Sequence, residues 1–385
     1  MVYTEIKSRN GRKYYYRVVS IRNGGRVQKK REYLGVDLSS EEIKSKEKGA
    51  DSDLEVTNVE KKARKNLLRG SKKFVGKVIK GYEFNNGINY PKLIESFANI
   101  GYQASNFSSA IRIVNKMIEE KATIFLGYTS SMVSSGLREI IRYLVEHNRI
   151  EVIVTTAGAI EEDIIKCLGD FYLGDFRASG RELRKRGLNR IGNIYAPNDR
   201  YIEFEKFVQP LLDEIYDKQK KNGKMISPSE LIWRLGERIN NKESICYWAW
   251  KNQIRIYCPA ITDGALGDNI YFSSFRHPDL VLDIASDTKR LNDTTIGLKK
   301  SGLIILGSGI AKHAILNANM LRNGADYAVY INNAQEFDGS DAGALPEEAV
   351  SWGKILPEAE SVKVFGDATI LFPILVAESF AKKFK

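Results

Sequence analysis

The chain has 385 residues, 43% hydrophobic and 28% charged, enough to bury a large core in one big domain or two smaller ones. No run of about 20 apolar residues occurs, which argues against a membrane-spanning helix. The opening MVYTEIKSRNGRKYYYRVV lacks an apolar signal core, which argues against secretion. Three cysteines (Cys167, Cys246 and Cys258) without metal or redox spacing fit buried free thiols in a reducing cytoplasm. With only three histidines (His147, His277 and His313), no histidine-rich metal site is expected.

The net charge of +11 is unevenly placed. Residues 1–80 hold 22 Lys+Arg and 10 Asp+Glu, whereas residues 81–385 hold 37 and 38. The basic character belongs to the front, and the balanced remainder reads as a separate object.

In chain order, residues 3–36 predict a small β unit. KYYYRVVSIR is β-branched and aromatic, NGG signals a turn, and RVQKKREYLG supplies a return strand. The polar SSEEIKSKEKGADSD reads as a linker, giving a module plus linker over residues 1–50. A basic connecting segment follows over 51–80, and the main domain spans 81–385. Aromatics among bases suit nucleic acid through stacking and phosphate contacts, although a soluble hairpin with a charged face explains the same residues.

Beyond residue 85, short apolar runs end in small polar residues and lead into helical patterns. TIFLGYTSS precedes GLREIIRYLVEHN, IEVIVTTAGAIEED precedes IIKCLGDFYL, and IRIYCPAITDGALGD leads into a helix-like segment. GLIILGSGIAKHAILNANMLRNG, DYAVYINNAQEFDG and VKVFGDATILFPILVAESFAKKF repeat the theme. This alternation predicts an α/β fold: a Rossmann-like, mostly parallel sheet with helices on both faces, preceded by the small basic β unit.

In such sheets, ligands bind outside the carboxyl ends of the strands. Small and acidic residues gather there: Thr129, Ser130 and Ser134; residues 155–158; residues 263–268; residues 307–309; residues 338–341; and Gly366 with Asp367. Small residues let backbone N–H groups approach phosphate, and carboxylates suit ribose hydroxyls, so a dinucleotide fits. GSGIAK is only a partial glycine fingerprint. A second group, Asp268, His313, Asn317, Asp341 and Glu348 with Trp352, would form an acidic pocket with an aromatic wall if its members converge. That pocket would suit a polycation. Turn and cap roles account equally well for several of these residues.

From GYEFNNGINYPKLIESF to the C-terminus, about four-fifths of the chain, the sequence resembles deoxyhypusine synthase. The resemblance rests on FLGYTSSMVSSGLREIIRYLVEHN, VTTAGAIEEDIIKCLGDFYLG, PAITDGALGD, NANMLRNGADYAVYIN and AQEFDGSDAGALPEEAVSWGKI. It implies NAD-dependent transfer of the aminobutyl group of spermidine, through an imine on an enzyme lysine, to a lysine of the precursor of the hypusine-bearing translation factor. The by-product is 1,3-diaminopropane. It also implies a homotetramer with active sites at the dimer interface.

By motif, Lys354 matches the imine-forming lysine and His313 the general base. Asp268, Asn317, Asp341, Glu348 and Trp352 match the polyamine contacts. Ser130, Ser131, Ser134, Thr156, Ala157, Gly158, Glu162, Asp263, Gly307, Asp338, Gly339, Asp367 and Ala368 fall at the cofactor positions. His147 and His277 match no functional motif and read as a helix-end and a pre-proline loop residue.

The departures are specific. Ser131 stands where the familiar eukaryotic forms carry asparagine, and Ala342 where they carry serine. LGSG replaces a run of three glycines, an insertion before TIFLGY is absent, and the N-terminal segment that covers a neighbouring entrance in those forms is not recognisable. Two other functions remain open at this level. One is aminobutyl transfer to putrescine; the other is a catalytically weak NAD-holding protein that binds RNA through its basic N-terminus.

Overall fold

The computed structural model describes residues 2–23, 26–67, 73–307 and 309–382. Two compact units divide the chain, residues 1–77 and 78–385.

In the first unit, β1 (Val2–Arg9), β2 (Arg12–Asn23) and β3 (Arg26–Val36) form an antiparallel sheet in that order. The β2–β3 hairpin matches the sequence expectation, with Asn23 paired to Arg26; the glycines of its turn lie outside the described residues. The expected linker is instead part of helix α1 (Ser40–Leu67). Two features explain the difference. Ser39 and Glu42 exchange backbone and side-chain hydrogen bonds at the helix start, in a capping box. Ala50 and Ile43 then pack on Tyr15, Leu34 and Leu38, while Arg17 of β2 reaches Glu47 and Asp51 of the helix.

The second unit opens with α2 (Tyr90–Ser96), α3 (Gln103–Glu119), β4 (Thr123–Tyr128), α4 (Arg138–Glu146), β5 (Val152–Val154) and α5 (Ala157–Leu168). A small antiparallel sheet follows, made of β6 (Tyr172–Leu173), β7 (Leu188–Ile191) and β8 (Ile194–Pro197), with α6 (Gly180–Lys185) between its first two strands. Next come α7 (Asn198–Asn222), α8 (Pro228–Ile239), α9 (Ile245–Lys251), β9 (Arg255–Tyr257), α10 (Ala265–Ser274) and α11 (Ile284–Ile296). The chain closes with β10 (Ser301–Leu306), α12 (Ile310–Met320), β11 (Ala325–Asn332), α13 (Pro346–Ser351), β12 (Ile355–Phe365) and α14 (Ala368–Glu378).

The main sheet is parallel throughout, in the spatial order β12-β11-β10-β4-β5-β9. Counted from β4, this is the 3-2-1-4-5-6 order of the Rossmann fold. Strands β4, β5 and β10 are continuous apolar runs because both their faces are buried. On β4, Ile124, Leu126 and Tyr128 pack into one core beside α3, α4 and α5. Phe125 points the other way, into a second core with Ile315 of α12 and Leu291 of α11. Among the described residues, no helix is long and apolar enough to cross a membrane.

Candidate active site

Strand order reverses between β4 and β10, so a crevice opens at their carboxyl ends. The cofactor candidates lie in the loops and first two helical turns that follow the six parallel strands. Ser130, Ser131 and Ser134 follow β4; Thr156, Ala157, Gly158 and Glu162 follow β5; Asp263 follows β9. Gly307 follows β10, Asp338 and Gly339 follow β11, and Asp367 and Ala368 follow β12.

The β4 and β5 loops are locked together. Ser130 N donates to Thr156 Oγ1 at 3.1 Å, so this hydroxyl bridges two loops instead of capping its own helix. A Cβ on Gly158 would stand 2.8 Å from that of Ser130, so glycine permits the close approach. The N-termini of α5 and α12 carry no side-chain cap, a favourable arrangement for an anionic group.

Ser134 Oγ donates to the buried Glu162 carboxylate. Burial raises the Glu162 pKa to about 7, against the opposing pull of that hydrogen bond. Other candidates already have local partners. Asp338 accepts from Ser340 N at 2.7 Å, and Asp367 Oδ1 accepts from Thr369 N at 2.7 Å as the cap of α14. Hydrogen bonds from Ser340 hold the Asp338 carboxyl below its ordinary pKa. Ser131 Oγ lies 3.0 Å from Thr129 Oγ1.

The lysine and most of the polyamine candidates meet elsewhere, in a cleft of about 760 Å³ beside α11, α12 and α13. Lys354, His313, Asn317, Asp341, Glu348 and Trp352 all line it. Lys354 is 9% exposed, with its backbone fixed on both sides. Its N–H donates to Ala349 O at 2.9 Å, and its carbonyl accepts from Ala325 N at 3.0 Å. Its Nζ lies 5.4 Å from the Trp352 ring centroid, and no described carboxylate is within ion-pair distance.

On α12, the four-residue spacing puts His313 and Asn317 on one face, with Asn317 Nδ2 3.1 Å from His313 Nδ1. As placed, the amide donates to Nδ1 and the neutral ring carries its proton on Nε2. An amide turned by 180° would accept from Nδ1 and leave Nε2 as the basic atom. Asp341 Oδ2 is buried without a hydrogen-bond partner, leaving an anionic oxygen available to a cationic ligand.

Asp268 does not line this cleft, nor do any of the cofactor candidates. It stands at the start of α10, where Asp268 and Asp263 both act electrostatically on buried Glu161. The remaining histidines are structural. His147 caps the C-terminus of α4, and His277 stacks on Tyr216 and contacts Asp213 at 2.7 Å. Cys246 and Cys258 are buried and Cys167 half-buried, all as free thiols.

Two lysines absent from the sequence reading shape the site. Lys312 Nζ donates to the carbonyl oxygens of Asp341 and Ala344, and Lys363 Nζ donates to those of Ala334 and Gly343. Together they pin the loop that carries Asp341. Burial lowers the Lys312 pKa to about 8, with Asp341 pulling the other way. Gly343 makes the loop's tight fold possible, because a Cβ there would stand 1.9 Å from Gln335 O. In the sequence Lys363 alternates with Val362 and Val364 as a surface lysine of an edge strand would, so no signal marked it.

Sheet order, switch-point loops and a cleft holding a shielded lysine define a Rossmann-type α/β enzyme. The deoxyhypusine synthase family model matches residues 92–379, and the chain belongs to that family. A deoxyhypusine synthase of Senecio vernalis is 52% identical over 331 residues, covering 79% of this chain and 89% of the relative. That of Nicotiana tabacum is 49% identical over 368 residues, covering 86% and 97%. A crystal structure of a "putative deoxyhypusine synthase" from Entamoeba histolytica superposes with a TM-score of 0.60 at 37% identity, covering 79% of this chain and 97% of that one.

Proposed function

We propose that this aminobutyl transferase moves the 4-aminobutyl group of spermidine to a lysine in the precursor of the hypusine-bearing translation factor, in the cytoplasm. The observation that carries the reading is the partnerless buried oxygen of Asp341 in the same cleft as Lys354. A linear polyamine suits such a site: Asp341 and Glu348 hold ammonium groups while Trp352 lies along the methylene chain. Asn317 orients His313, whose imidazole moves protons at the secondary amine.

NAD fits the switch-point loops, where two uncapped helix N-termini and the Ser130–Gly158 contact leave room for a pyrophosphate; when bound, it supplies oxidation of the secondary C–N bond and the later reduction. The Lys354 amine, once deprotonated, adds to the oxidised carbon. Collapse of that adduct breaks the bond to the propylamine portion, releases 1,3-diaminopropane and leaves an imine on Lys354. The acceptor lysine then displaces Lys354, and reduction yields deoxyhypusine. The low exposure of Lys354 keeps water from the imine.

In one chain, the Lys354 cleft and the switch-point loops are separate. Exposed Ile284, Ile310, Met320 and Leu321 rim the cleft. Both features support a dimer interface at which a neighbouring copy's NAD loops and Asp268 close each cleft, within the homotetramer that the family resemblance implies.

Labelled spermidine and NAD test the reaction with wild type and Lys354→Ala, with the factor precursor or putrescine supplied. Label on the precursor with wild type alone is the expected result. Label confined to homospermidine would move the assignment to small-amine transfer, and no labelled product would overturn the reading.

A further inference from the structure

The N-terminal sheet has two chemically different faces. Helix α1 covers one, where Tyr15, Leu34 and Ala50 are buried and Arg17 is neutralised by Glu47 and Asp51. Strand alternation and the pairing register put Tyr3, Tyr14, Tyr16 and Tyr33 together on the other face. Tyr33 is 53% exposed and makes ring contacts with Tyr14 and Tyr16 at 6.4 and 5.3 Å.

Five cations share that face: Lys7, Arg9, Arg12, Lys29 and Arg31. Lys7 Nζ is 5.5 Å from the Tyr16 ring centroid and Lys29 Nζ 5.7 Å from that of Tyr3. Two of the five have acidic partners: Arg31 engages Glu5 at 2.6 Å, and Arg12 lies 3.9 Å from Asp37. No described carboxylate is within ion-pair distance of Lys7, Arg9 or Lys29. The helix face spends its arginine internally, whereas this face keeps most of its positive charge for an outside partner.

We propose that this face binds a single-stranded nucleic acid, with bases stacked on the tyrosines and phosphates on the surrounding cations. The combination selects the partner. An acidic peptide or an anionic membrane would use the cations but leave the rings without a matching surface. A duplex keeps its base faces stacked internally, so exposed tyrosines gain little from it. An unpaired strand offers π-faces and phosphates together.

The test is fluorescence anisotropy on the full chain, using labelled oligo(dT), oligo(rU) and a duplex, each of about 20 units, across a salt series. Circular dichroism and melting monitor the fold of every variant. Tyr33→Ala is expected to weaken single-strand binding about 5- to 150-fold. The Lys7→Ala/Lys29→Ala pair is expected to flatten the log K versus log salt slope by about 1.4. Lys30→Ala, whose lysine the register places on the helix-covered face, is expected to change neither quantity.

Duplex binding as tight as single-strand binding would overturn the proposal. So would unchanged affinity in folded Tyr33→Ala, an equal loss in Lys30→Ala, or no binding at about 50 mM salt.

Discussion

Lys312 Nζ donates to the carbonyl oxygen of Asp341 at 2.5 Å, from a side chain that is 1% exposed. The helix that presents His313 to the cleft thereby also fixes the backbone of a carboxylate that lines the same cleft. Catalytic and substrate-binding groups from distant parts of the sequence are held in register by one buried ammonium.

Lys312→Met keeps the methylene stem and removes the donor. Two buried carbonyls then lose a partner at about 1–3 kcal/mol each, partly offset by removal of a charge that is costly to bury. A net loss of about 1–3 kcal/mol is expected in denaturant titration. The KM for spermidine should rise more than kcat falls, because Asp341 is displaced while Lys354 stays in place. Unchanged stability and KM would show that the loop holds itself.

Asp341→Asn separates substrate binding from loop anchoring, since it leaves in place the backbone carbonyl of residue 341 to which Lys312 donates. Stability should change little, because relief of the partnerless buried oxygen is offset by loss of its attraction to the Lys312 ammonium. The KM for spermidine should rise about 10- to 100-fold, as befits loss of a charge-assisted hydrogen bond. A KM within twofold of wild type would remove Asp341 from the polyamine site.

Glu162 gives a pH-dependent prediction. Its folded pKa of about 7 lies above the ordinary value of 4.5, so between those values the native state holds a proton that the unfolded state has lost. Stability contributed by this group is therefore fully present below pH 4.5 and declines as pH rises through 7. Glu162→Gln preserves the acceptor for Ser134 and removes the ionisation. Its advantage over wild type should open between pH 4.5 and 7 and level off at about 3 kcal/mol above pH 7. Denaturant midpoints across that range provide the check, and a difference independent of pH would mean that Glu162 stays ionised in the fold.

The parallel sheet was legible because apolar runs such as GLIIL need no partner knowledge to be read as strands buried on both faces. The switch-point loops were legible for the same reason, since their small residues follow those runs directly. Helix α1 was not. Its first half offers little apolar surface beyond Ile43 and Ala50, and its support from Arg17 comes from a strand more than 20 residues earlier. Lys312 and Lys363 look like surface lysines in one dimension, because carbonyls of a folded-back loop define their role. Asp268 shows another limit: adjacency along a motif does not say whose cleft a side chain serves.

That last point can be tested genetically. If Asp268 completes the cleft of a neighbouring copy, Lys354→Ala and Asp268→Ala damage two different chains of each composite site. Each variant alone is expected to be nearly inactive. Co-expressed with separate affinity tags and purified for both, they form mixed dimers in which one site has both damaged residues and the other has neither. A random mixture should recover about a quarter of wild-type activity; because a tetramer of two unmixed dimers also carries both tags, double purification raises this only to about 0.3. Size-exclusion chromatography must show the same assembly for all three preparations. Recovery would require a site shared between chains, because two defects within the same chain's site cannot complement each other. Mixed dimers of normal size without recovered activity would instead put Asp268 and Lys354 in one chain's site, or remove Asp268 from polyamine binding.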